Sequence, residues 1–154
     1  VFMQTAADDA VIPLDFSNTS FIDISCADEF LSKLLMRIGS GELGNRFAFI
    51  QNANDSVRET LEAVLKLRDL AALIVDDQGE THVLGILKTP IREALDVVLS
   101  KKKGTSSEFA EALSKNINIA CNRLNALQRM GLVCRVRDGS VAGGGRQFFY
   151  ESIV

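Results

Sequence analysis

No stretch of this chain stays apolar for the roughly 18 residues that a membrane-spanning helix needs. No basic-then-apolar leader opens it. There is one histidine, and there is no GxGxxG or Walker-type loop. Three cysteines, Cys26, Cys121 and Cys134, are odd in number and widely spaced, so they read as neither a disulfide framework nor a zinc site. A reducing, cytoplasmic setting is expected. Cys121 reads as a small packing residue rather than a redox switch. His82 falls in a predicted strand and reads as structural. Asp76 and Asp77 precede Gly79 and read as a turn rather than a catalytic carboxylate pair. With no nucleophile–base set and no metal-ligand spacing, no catalytic residue, metal or cofactor is expected, and an enzyme is not the reading.

What is present is a chain of 154 residues, 47% of them hydrophobic. That suffices for one ordinary domain or two small ones with packed cores. The net charge of −3 conceals an asymmetry. Residues 1–87 hold 14 acidic and 6 basic side chains, a balance of −8, whereas residues 88–154 hold 6 acidic and 11 basic, a balance of +5. Two domains with different partners are expected, the second with the sign that a phosphate backbone attracts.

Along the first half, Val11–Phe16 and Phe21–Ile24 read as short strands, the first carrying Pro13 and so placed at an edge or strand start. Ala27, Phe30, Leu31, Leu34, Leu35 and Ile38 then recur at helical spacing up to Gly39 and Gly41. Ser25 and Asp28 resemble a capping box at that helix start. Phe47–Gln51 reads as a buried strand. Ser56 and Glu59 form a second box, before a helix with Val57, Leu61, Val64 and Leu65 on one face. Leu73–Val75 and Thr81–Leu87 read as strands joined by a turn at Asp76–Gly79. The alternation predicts a small α/β layer, a sheet with packed helices.

The second half differs. Thr89–Pro90 starts a helix with Ile91, Leu95, Val98 and Leu99 on its inner face, and Lys101–Gly104 breaks it. Thr105 and Glu108 box a second helix with Phe109, Ala112 and Leu113 inward. After a turn around Lys115–Asn118, a third helix buries Ala120, Leu124, Leu127 and Met130 and stops at Gly131. A hairpin follows, with strands at Val133–Arg137 and Arg146–Tyr150 and a tip at Gly143, Gly144 and Gly145. The third helix turns Asn118, Asn122, Asn125 and Arg129 outward, with Ile119 and Arg123 at the flanks. Asparagine pairs with adenine and arginine with guanine or phosphate. Arg135, Arg137 and Arg146 on the hairpin suit phosphates or the minor groove, and Lys101, Lys102 and Lys103 before the second helix suit phosphates.

The pieces SSEFAEAL, NRLNALQRMGLV and GGGRQFFY, spread over residues 88–154, resemble the winged helix-turn-helix regulators of the MarR and ArsR type. That resemblance implies an α+β winged domain that binds double-stranded DNA, as a homodimer on a two-fold site. In the first half, VIPLDFSNTSFIDISCADEFLSKLLMRI and FAFIQNANDSVRETLEAVLKLRDLAALIV, over about residues 10–76, resemble the STAS-like domains of anti-sigma-factor antagonists. The opening strands and first helix usual there are missing, which fits a truncated start. In that family a partner kinase phosphorylates a serine within an Asp-Ser-Ser-Gly-like stretch, and Ser25 aligns with it. A phosphate would suit a helix N-terminus. However, Cys26 replaces the glycine, and Asp28 and Glu29 would repel the phosphate. Ser25 as a plain N-cap is the preferred reading.

Two functions are therefore expected from different classes. The leading one is a DNA-binding transcriptional regulator whose residues 1–87 receive a signal or a partner, with no membrane involved. The alternative is a partner-switching protein, with residues 1–87 docked on a kinase-like ATPase and the winged half as adaptor.

Overall fold

Two sheets organise the chain, one in each of the units into which it divides, Val1–Leu87 and Lys88–Val154. The computed structural model describes residues 10–138 and 147–154. Both units mix helix and strand.

In the first unit, β1 (Val11–Asp15), β2 (Phe47–Gln51) and β3 (Ala71–Val75) are parallel, and β4 (Thr81–Gly85) returns antiparallel, in the order β1-β2-β3-β4. Ile12 and Leu14 are buried while Val11, Pro13 and Asp15 are exposed, the alternation of a strand with one covered face. Pro13 sits on an edge strand, where a missing N–H is tolerated. Register sets Ile12 beside Ala48 and Leu14 beside Ile50, so these four share one buried face. Residues 71–74 of β3 are all buried, the continuous apolar run of an inner strand.

Three successive helical segments, Ile24–Ala27, the π-helical Asp28–Ser32 and Lys33–Gly39, make up α1 between β1 and β2; α2 (Asp55–Leu67) joins β2 to β3. Both crossovers step the same way across the sheet, and right-handed connections then place both helices on one face. There α1 and α2 pack on each other. The predicted strand at Phe21–Ile24 is absent. Asp23 is the N-cap instead, its carboxylate accepting the Cys26 N–H at 2.7 Å. Ser25 lies two residues past the cap, already inside the helix, so the expected Ser25–Asp28 box is also corrected. Likewise Asn54, not Ser56, caps α2, accepting the Val57 N–H at 2.9 Å. The expected inner face of α2, Val57, Leu61, Val64 and Leu65, is buried. Arg68, just past α2, grips both carboxylate oxygens of Asp28 in the π turn, and this holds the Asp28 carboxyl down to about 2.

The β3–β4 turn is built by Asp76, whose Oδ1 accepts the N–H groups of Gln78 and Glu80 at 3.0 and 2.8 Å, an Asx-type turn. Strand β4 ends at Gly85 rather than Leu87. There φ is +94°, and a Cβ would lie 2.1 Å from the Leu70 carbonyl oxygen, so glycine is required.

The second unit runs α3 (Thr89–Lys101), β5 (Lys103–Thr105), α4 (Ser106–Leu113), α5 (Ile117–Arg129), β6 (Val133–Asp138) and β7 (Gln147–Ser152). Its antiparallel sheet has the order β5-β7-β6. The core joins Leu95 and Val98 of α3, Phe109 of α4, Leu124 and Leu127 of α5, and Leu132, Val133 and Tyr150. Burying each large apolar side chain contributes about 1.5–3 kcal/mol. The Thr105–Glu108 capping box is present. Ala110 is buried in α4 and the expected Ala112 is exposed; Ile91, Leu99, Leu113 and Met130 are only half-buried. The break expected at Lys101–Gly104 contains β5, a strand defined by its pairing with β7. Among the described residues, no helix is long and apolar enough to cross a membrane.

Candidate nucleic-acid interface

Helix α4 stops where Ser114 takes the left-handed conformation, φ +53°. The Lys115 and Ser114 N–H groups fold back onto the carbonyls of Ala110 and Glu111 at 3.0 and 3.1 Å, satisfying the last turn of α4. Asn116 then caps α5, accepting the Ile119 N–H at 2.9 Å. Residues 114–116 are therefore the whole connection, as short as helix-turn-helix connections are. The helix begins earlier than the turn expected around Lys115–Asn118, and Asn118 lies in its first turn.

Ala120, Leu124 and Leu127 anchor α5 inward. Its far end is closed by Gly131, φ +77°, with the Leu132 N–H bonded to the Leu127 carbonyl at 3.0 Å. Asn118, Asn122 and Arg129 face outward and are exposed. So are two isoleucines of the first turn, Ile117 at 47% and Ile119 at 39%.

Two of the expected readers are held by the fold. Asn125 Oδ1 accepts the Tyr150 hydroxyl at 2.8 Å and an Arg135 guanidinium N–H at 3.3 Å. Burial pushes the Tyr150 phenol up, which keeps it a donor. Asn125 thus ties α5 to β6 and β7. Arg135 is exposed and also lies over the Phe148 ring, 4.8 Å from its centroid. Arg123 points toward α3, pairing with Glu93 at 3.4 Å with only 16% of its side chain exposed.

Lys101, Lys102 and Lys103 are exposed at the α3–β5 junction. Lys103 lies 5.2 Å from the Phe149 ring centroid, and Lys102 Nζ donates to the Val154 carbonyl oxygen at 3.3 Å. Arg137 lies in β6 opposite Phe148. Arg146 and the glycines at 143, 144 and 145 lie outside the described residues. Two residues were missed in the sequence reading, Lys115 and Ile117, both exposed. A usable signal existed: residues 112–137 contain five Lys and Arg and no Asp or Glu, so one uninterrupted stretch carries a charge equal to the whole +5 balance of the unit.

In the first unit, Ser25 is exposed in the first turn of α1, beside the exposed Phe21 and Ile24. His82 Nε2 lies 2.7 Å from Asp76 Oδ2, and Asp76, Glu80 and His82 gather three potential ligand atoms within 4.8 Å of one another. The turn amides of Gln78 and Glu80 and the His82 ring already engage the Asp76 carboxylate.

No protein-family model matches the chain, and no curated protein matches it.

Proposed function

We propose that residues 88–154 form a winged helix-turn-helix that binds duplex DNA, with α5 in the major groove, and that the chain is a transcriptional regulator. The observation that carries this reading is the element order helix–strand–helix–helix–strand–strand with sheet order β5-β7-β6. It sets an acid-free helix with an exposed outer face after a tight turn and ahead of an antiparallel strand pair that carries Arg135 and Arg137. The N-terminal residues of such a helix reach base edges while flanking cations meet phosphates. Lys101, Lys102, Lys103, Lys115, Arg129 and Arg135 supply the phosphate contacts. Two copies on a two-fold site are the expected stoichiometry.

Residues 1–87 are proposed as a STAS-like module that receives a signal or a protein partner. Support comes from the helix-covered mixed sheet, three of whose strands are parallel, and from Ser25 exposed near Phe21 and Ile24 in sequence. The carboxylates of Asp23, Asp28 and Glu29 near Ser25 oppose its phosphorylation.

Fluorescence anisotropy of the full chain with random duplex DNA tests the reading. Affinity is expected to fall with salt, the logarithmic slope being about −0.9 per neutralised phosphate. No binding at low salt overturns it. Phosphate incorporation at Ser25 by a kinase-type partner, without duplex affinity, favours the partner-switching role instead.

A further inference from the structure

We infer that the duplex sequence read by α5 has an A·T-rich core, with Asn118 and Asn122 on adenine and Ile117 and Ile119 against thymine methyl groups. The inference rests on the DNA-binding reading of residues 88–154 and specifies the ligand of that surface.

Residues of a helix step by about 100°, so Asn118 and Asn122, four apart, form one outward row. Ile117 and Ile119 stand on either side of that row in the first turn, where a recognition helix meets base edges. Both are exposed, at 47% and 39%. In the major groove, adenine offers N7 and N6 to a bidentate asparagine, and thymine alone presents a methyl group to apolar side chains. A guanine-rich core needs arginine or lysine on O6 and N7, and the structure withdraws the arginine best placed to supply one. Arg123 is on the flank, largely buried and paired with Glu93. Asn125, next on the asparagine row, is occupied by Tyr150 and Arg135. Arg129 is exposed but lies seven residues beyond Asn122, roughly 10 Å further along the axis, and suits a phosphate. Lys115 precedes the helix in the turn and suits the backbone likewise. What remains at the leading end of α5 is two amides and two isoleucines.

The test is selection of bound duplexes from a randomised library by the full chain at low salt. The expected result is an A·T-rich core in which each A·T to G·C change lowers affinity roughly 5- to 150-fold. On the selected duplex, replacing core thymines by uracil removes only the major-groove methyl, and 7-deazaadenine removes the N7 acceptor. Each is expected to weaken binding by the unaltered protein. Asn122→Ala is expected to weaken the preference while salt-dependent binding to random duplex persists. A G·C-rich core overturns the inference and leaves the DNA reading standing. So does an A·T-rich core indifferent to both base analogues, because its preference then comes from the minor groove. Absence of duplex binding at every salt concentration overturns the DNA reading, and this inference with it.

Discussion

Helix α2 in the first unit and helix α5 in the second are each 13 residues long, each capped by an asparagine side chain, and each anchored by an apolar stripe. Their outer faces differ. Helix α2 shows water Asp55, Glu59 and Lys66, and Leu67 only at its last position, with Lys66 pairing Glu62 at 3.4 Å. Helix α5 has no acidic residue and shows Ile117, Asn118, Ile119 and Asn122. Mixed charges at four-residue spacing are what a solvated helix face uses. The amides suit water, but two isoleucines exposed beside them do not, and the proposed contact with base edges would use both. Similar inward construction with a different outward face is a contrast that supports the functional reading.

The largest effects should fall on what the two helices share. Leu61→Ala in α2 and Leu124→Ala in α5 each empty a fully buried site. Each is expected to cost about 2–5 kcal/mol, read from the midpoint of urea unfolding. A loss below about 1 kcal/mol at Leu124, on the scale of a surface site, would mean α5 is not anchored as described. Next come the caps. Asn54→Ala and Asn116→Ala each remove the acceptor for one amide and are expected to cost about 0.5–2 kcal/mol. Asn116→Ala should also weaken duplex binding, because Asn116 sets the start of the reading turn; Asn54→Ala should not. Equal effects of the two on binding would erase the contrast.

The smallest effect concerns pH. Asp28 titrates at about 2 in the folded chain against an ordinary 3.8, because of Arg68. A depressed carboxyl contributes stability that is fully present above the unfolded value and is lost as pH falls through the folded one. Asp28→Asn is therefore expected to flatten the stability profile between pH 3.8 and about 2, by a small amount because water reaches the pair, Arg68 being half-exposed. An unchanged slope would show that the Arg68 contact does not persist in solution.

Much of this was legible in the residues. Strand β2, the inner faces of α2 and α5, the Asp76–Gly79 turn, the Thr105–Glu108 box and the stop at Gly131 are all local patterns. The misreadings were of two kinds. Phe21–Ile24 has strand-like composition, but Asp23 within it is a better cap than Ser25, and the capped turn prevailed. Strand β5 exists through β7, more than forty residues later, and no local period marks so short a lysine-led segment. The roles of Arg123 and Asn125 depend in the same way on Glu93 and Tyr150, 30 and 25 residues distant. An outward helical position says where a side chain starts, and its distant partners decide where it ends.

The most direct test of the contrast is a titration of the isotope-labelled chain with short duplex DNA, followed by backbone amide shifts. The account predicts salt-sensitive shifts over residues 115–123, at the leading end of α5, and none of comparable size over α2. Shifts concentrated on α2, or none on either helix at low salt, would contradict it.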